Sequence, residues 1–190
     1  METKNIMIVG VGGQGTLLAS KLLGRILLEN GYDVKVSEVH GMSQRGGSVV
    51  TYVRYGDKVY SPIIDKGEAD FILSFELLEA ARWVEYLKKG GVLLTNTQRI
   101  NPMPVITGTA DYPKTLEAKL SALPIRLDAM DALGLALRAG SSKAVNLALL
   151  GRLSRYFHFT DEQWQDAIEK SVPEKFLELN KKAFALGAEA

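Results

Sequence analysis

The sequence contains no cysteine. That absence excludes disulfides, thiolate zinc sites, a cysteine nucleophile and any cysteine-ligated iron–sulfur cluster held by this chain itself. If the protein takes part in electron transfer, the carriers sit elsewhere. An excess of one charge is missing too: 23 basic residues against 22 acidic ones leave a formal net charge of +1. The basic footprint that nucleic acid or an anionic membrane would call for is therefore absent. No apolar run approaches the roughly 18 to 20 residues of a membrane span. The run IMIV ahead of Gly10 is too short for a signal-peptide core. The expectation is a cytoplasmic protein that binds neither nucleic acid nor membrane. Histidine is scarce, with His40 and His158 far apart and in no metal-ligand spacing. His158, in RYFHF, reads as a surface or packing residue. Ser48, in GGSV, lacks the G-x-S-x-G spacing of a nucleophile elbow. No catalytic residue and no metal ligand is assigned to this chain.

What is present is a chain of 190 residues with 46% apolar content, enough for one compact domain over 1–190. IMIVG (6–10) reads as a strand, VGGQG as a Gly-rich turn, and TLLASKLLGRILLENG as a helix stopped at Gly31. DVKVSEV (33–39) is a second strand. This βαβ-like opening argues for a parallel sheet with helices on both faces. SVVTYVRYG and KVYSPII flank Gly56 and Asp57, the pattern of an inserted antiparallel hairpin. ADFILSF (69–75) reads as a buried strand, ELLEAARWVEYLKKGG as a helix with a Gly stop, and VLLTNT (92–97) as the next strand. After the Pro-containing stretch NPMPVITGTADYP, TLEAKLSAL is a short helix and IRLDAM a last strand. From about 131 to 190 the chain reads as a mainly helical extension, with capping signals at Ser141, Ser142 and Thr160 and Pro173 opening the last helix. The expected fold is α/β: a Rossmann-like, mostly parallel sheet with an inserted antiparallel hairpin and a C-terminal helical extension.

Two Gly-rich stretches carry the functional expectations. Gly10, Gly12 and Gly15 form G-x-G-x-x-G between a strand and a helix, with Gly13 and Gln14 inside the turn. Glycines permit a tight turn and close approach, and free N–H groups at the helix start favour an anion. Glu38, near the end of the second strand, is placed to accept a ribose hydroxyl, so a nicotinamide cofactor is one reading. The other is a fold-determining turn that binds nothing or only part of a ligand. GVGGQG is also similar to the nucleotide loop of ubiquitin-activating-type adenylating enzymes, which often carry the cysteines missing here.

The second stretch, HGMSQRGGS (40–48), holds His40, Met42, Gln44, Arg45, Gly46, Gly47 and Ser48. A guanidinium beside two glycines can make a bidentate contact with phosphate or carboxylate, and Met42 offers a flexible apolar contact to a partner. The bland alternative is a solvated loop. In a doubly wound sheet the loops after strands one and two open at one carboxyl edge, so both stretches are expected to line one crevice or one interface.

GVGGQGTLLASKLLG (10–24), SEVHGMSQRGGSVVTYVRYGDKVYSPII (37–64) and EADFILSFELLEAARWVEYLKKGG (68–91) resemble the gamma domain of the 2-oxoacid:ferredoxin oxidoreductases. KAVNLALLG (143–151) is a looser match. The form E-V-H-G-M-S-Q-R-G-G-S-V is similar to that of small beta subunits acting on indolepyruvate. The resemblance implies a complex that decarboxylates arylpyruvates on thiamine diphosphate with magnesium. Electrons pass through iron–sulfur clusters to ferredoxin, and an aryl-acetyl thioester of coenzyme A is released. It places those cofactors in a large alpha subunit and makes this chain an essential partner that carries none of them and is inactive alone. Other 2-oxoacids, a stand-alone NAD(P)-dependent enzyme and a nucleotide-sensing scaffold remain the alternatives.

Overall fold

The structure, a computed structural model, describes residues 2–39 and 47–190. Six strands form one sheet in the order β2-β3-β1-β4-β5-β6: β1 (Lys4–Val11), β2 (Asp33–Val39), β3 (Ser48–Gly56), β4 (Ala69–Ser74), β5 (Leu87–Asn96) and β6 (Arg126–Met130). β1, β4, β5 and β6 run parallel, while β3 is antiparallel to both β1 and β2.

Helix α1 (Thr16–Glu29) follows β1. It buries Ala19, Leu22, Leu23, Ile26 and Leu27 completely, the three-and-four spacing of an apolar helical stripe. Gly31 ends it at φ +85°. The Gly31 N–H donates to the Leu28 carbonyl (3.0 Å) and the Tyr32 N–H to that of Leu27 (3.2 Å), the pairing of a Schellman stop. Beyond α2 (Leu77–Trp83) come two short helices, α3 (Met103–Ile106) and α4 (Leu116–Ser121). The C-terminal third is α5 (Ala132–Ala139), α6 (Val145–Ser154), α7 (Asp161–Glu169) and α8 (Leu177–Glu189). A full capping box at Thr160 and Gln163 opens α7, and Pro173 opens the turn that leads into α8.

Alternation along the strands feeds two cores. Ile6, Ile8, Leu73 and Leu94 face α1 and the C-terminal helices, whereas Met7, Val9, Ile72 and Leu93 face α2 and α4. Helices thus cover both faces, as expected. In the first core α6 and α8 approach through glycine: a Cβ on Gly151 would meet the Phe184 carbonyl, and one on Gly187 the Ala148 carbonyl.

Two expected elements differ. The hairpin is β2 with β3, joined through the second Gly-rich stretch, and not β3 with KVYSPII. Both edges of β3 are already paired, to β2 and to β1, so residues 58–64 have no strand to join. They are held by side chains instead: Arg54 Nη1 donates to the carbonyls of Ser61 (3.0 Å) and Ile63 (2.8 Å), and Asp33 accepts from the Val59 N–H (2.9 Å). The helix expected over 76–91 stops at Trp83, and Leu87–Gly91 belong to β5. Leu87 pairs with Ala69, and the register then shifts before Phe71 meets Val92, with Gly90 at φ +76° in the irregularity. The two glycines accommodate a bulge there and do not stop a helix.

Candidate functional site at the carboxyl edge of the sheet

β1 leads into α1 on one face of the sheet and β4 into α2 on the other. Connections therefore diverge at the β1–β4 boundary, where open α/β sheets place their crevice. The Gly10–Gly15 turn sits there. A Cβ on Gly10 would lie 2.9 Å from the Phe75 Cβ and 3.0 Å from Gln14 Oε1, so only glycine fits between the ends of β1 and β4. Gly13 and Gly15 have φ of +96° and +87°, the left-handed region open to glycine. Gln14 turns inward. Its Oε1 accepts from the Val11 N–H (2.8 Å) and its Nε2 donates to the Phe75 carbonyl (3.0 Å). Its amide thus bridges the two strand-to-helix turns.

From the other side, Asn146 at the start of α6 packs on Gly15 and donates to its carbonyl at 3.4 Å. Gly13, Gln14 and Gly15 border a hollow of about 430 Å³, shared with Gln98, Ile100 and Lys143.

Gly47 and Ser48, the described end of the second Gly-rich stretch, meet the first. Val11 stands opposite Ser48 in the β1–β3 register, and the Gly12 N–H donates to the Gly47 carbonyl at 2.9 Å. His40, Met42, Gln44, Arg45 and Gly46 lie outside the described residues. Glu38 is not brought to the crevice. β3 intervenes between β2 and β1, which puts about 10 Å between those strands. Its carboxylate accepts from the Ser20 hydroxyl of α1 at 2.8 Å and lines a separate groove beside α1. A dinucleotide laid over the turn would not find its ribose acceptor there. His158 lies at the opposite edge of the sheet, with Lys4 and Gly90.

Sequence reasoning missed the buried carboxylates that support this edge. Glu76, 1% exposed, caps α2 by accepting from the Glu79 N–H (2.9 Å). It also accepts from the Ile100 N–H (3.0 Å) and the Tyr112 hydroxyl (2.6 Å). Burial pushes the Tyr112 phenol up, and the bond to Glu76 adds to that, so Tyr112 is a lasting donor. Glu79, 4% exposed, accepts from the Ser48 hydroxyl, from Arg82 Nε (3.1 Å) and from the Trp83 indole N–H (3.3 Å). Ser48, expected to face a ligand or a partner, is tied to α2 through this carboxylate. The available signal was S-F-E-L-L-E straight after a strand: an acidic residue at the helix start with Glu three places on. A buried carboxylate is tolerated only when paired and hydrogen-bonded.

Glu79→Ala leaves the Ser48 hydroxyl and the Trp83 indole without their shared acceptor. The expected outcome is a loss of about 2 kcal/mol of stability in urea unfolding. Arg82→Ala, which removes a half-exposed partner, should cost well under about 1 kcal/mol.

The edge presents backbone N–H groups, a nearby lysine and a rigid base. The described residues contain no group of three or more His, Cys, Asp or Glu that could hold a metal ion, and the sequence has no thiolate for a cluster. Among the described residues the donor set does not fit an iron–sulfur centre or a magnesium–thiamine diphosphate site. Its chemistry is positioning: it can hold an anionic group or a partner's surface. Among the described residues no helix is long and apolar enough to cross a membrane.

A six-stranded mixed sheet with a Gly-rich turn at its divergence point defines a Rossmann-like α/β domain. Residues 5–190 match the pyruvate ferredoxin/flavodoxin oxidoreductase family, and the chain belongs to that family. It is a small subunit of a 2-oxoacid:ferredoxin oxidoreductase. The chain is 47% identical to the indolepyruvate oxidoreductase subunit IorB of Thermococcus kodakarensis and 47% identical to that of Pyrococcus horikoshii. Each match covers 100% of this chain and 96% of the relative. Among solved structures, the gamma subunit of a keto/oxoacid ferredoxin oxidoreductase from Geobacter sulfurreducens superposes with a TM-score of 0.73 at 25% identity. That match covers 98% of this chain and 96% of the other.

Proposed function

We propose that this chain, as one gamma-type domain, is the beta subunit of a cytoplasmic complex that oxidatively decarboxylates arylpyruvates, indolepyruvate foremost, to aryl-acetyl-CoA with ferredoxin as acceptor. The observation that carries the reading is the 47% identity over the full chain to two subunits named for indolepyruvate. The lack of cysteine agrees with a division of labour in which a large alpha subunit holds the thiamine diphosphate, magnesium and iron–sulfur clusters. Bound there, those groups supply decarboxylation and electron transfer. This chain supplies a rigid edge. Gln14, Asn146 and Glu79 hold the Gly10–Gly15 turn and Ser48 in place, and the intervening Arg45 pairs with a carboxylate or a coenzyme A phosphate at the entrance to the partner's site. Gly12, Gly13 and Gly47 let another backbone or a phosphate approach closely.

The competing reading, a self-sufficient NAD(P)-dependent enzyme, is tested by calorimetric titration of the isolated chain with NADH and NADPH. Displacement of Glu38 from the turn leads to an expectation of no saturable binding up to about 1 mM, a floor near −4 kcal/mol. Micromolar binding of either cofactor would overturn the subunit reading as stated.

A further inference from the structure

The amino-terminal edge of the sheet, opposite the Gly-rich turn, holds a second cavity of about 570 Å³. Its wall is aromatic. The ring of Phe157 stacks on Phe71 of β4 (centroids 6.1 Å apart, planes at 24°) and on Phe159 (5.5 Å, 18°), and Tyr55 of β3 lies 6.1 Å from it. The segment RYFHF therefore supplies part of a cavity wall as well as packing.

Positive charge gathers beside these rings. Lys4 stands opposite Tyr55 in the β1–β3 register, so their side chains share a face of the sheet. Lys4 Nζ lies 3.3 Å from Asp70 Oδ1, and Lys88 pairs with the same oxygen. The second Asp70 oxygen is taken by the Asn5 N–H at 2.9 Å. Two ammonium groups against one carboxylate leave one net positive charge, and each ammonium keeps donors beyond its bond to Asp70. Tyr55 adds another donor. It lines the cavity, and the residue as a whole is 7% exposed.

We propose that this cavity binds an aromatic carboxylate, its ring against Phe71 and Phe157 and its carboxylate accepting from Lys88, Lys4 and the Tyr55 hydroxyl. A single net charge balances a monoanion and leaves a phosphate dianion unbalanced, which favours an aryl acid over a nucleotide. The cavity lies at the edge away from the crevice described above, and its chemistry stands whether or not the arylpyruvate assignment holds.

The test is calorimetric titration of the full-length chain with phenylacetate and indole-3-acetate, and with cyclohexylacetate and AMP as contrasts. Saturable one-to-one binding of an aryl acid is expected, with cyclohexylacetate about tenfold weaker because it lacks the ring face. Tyr55→Phe removes one oxygen and keeps the ring, and should weaken aryl-acid binding about tenfold with an unchanged melting temperature. Lys88→Gln should do the same, and Tyr55→Phe decides the matter if that variant fails to fold. Four results would each overturn the proposal: no saturation by either aryl acid up to about 10 mM, equal binding of cyclohexylacetate, unchanged binding in Tyr55→Phe, or tighter binding of AMP.

Discussion

Gly187→Val is expected to lower the stability of the chain by about 3 kcal/mol or more and the melting temperature by about 6 to 12 °C. Gly187 on α8 faces the Ala148 carbonyl, and Gly151 on α6 faces the Phe184 carbonyl. The two helix backbones touch where those side chains are missing. Backbone cannot rotate aside as a long side chain can, so a Cβ at either position has to push the helices apart. The first core would open along Leu147, Leu150 and Phe184, all buried. Ala185→Val adds the same β-branched bulk on the same helix at an exposed position and should cost about 0.5 kcal/mol, the propensity difference alone. Equal melting of the two variants would refute the close crossing. The consequence reaches the site: α6 carries Asn146, which packs on Gly15, so a shifted α6 withdraws one brace of the Gly-rich turn.

Arg45→Ala, made in the assembled complex, is expected to leave subunit association intact and to reduce kcat/KM about ten- to hundredfold. That is the range of losing one charge-assisted contact to an anion. If the anion is coenzyme A phosphate, the loss appears in the KM for coenzyme A and indolepyruvate dependence is unchanged. If it is a carboxylate of the substrate or of the partner, the coenzyme A dependence stays as it was. Arg45→Lys should rescue little, because an ammonium cannot reproduce a two-pronged contact. Unchanged kinetics for both substrates in an assembled Arg45→Ala complex would remove the ligand role. Failure to assemble would make the residue interfacial.

Much of this architecture was legible in the sequence because local signals and tertiary structure agree. DVKVSEV is β2 residue for residue, the apolar stripe of α1 faces a core, and the stops and caps at Gly31, Thr160 and Pro173 act where they stand. The failures share one cause, which is that pairing partners are invisible along a chain. KVYSPII has strand-like composition, yet both edges of β3 were already taken. Leu87–Gly91 continue a helical pattern, yet β4 recruits them as strand. Glu38 has the residue type and spacing of a ribose acceptor, and the intervening β3 alone displaces it. At the candidate site, the contact of Gly12 with Gly47 followed from topology. The links of Glu76 to Ile100, Glu79 to Ser48 and Asn146 to Gly15 did not, since they span 24, 31 and 131 residues of chain.

The central claim is that this chain works only as the partner of a cofactor-bearing subunit. Its most direct test is anaerobic affinity purification of the chain from its own source, followed by assay of viologen reduction that depends on both indolepyruvate and coenzyme A. The expected result is a cysteine-rich, thiamine-containing large subunit in the eluate and activity with both substrates that neither subunit shows alone. A chain recovered by itself, or a complex that reduces viologen with another 2-oxoacid and not with indolepyruvate, would contradict the account.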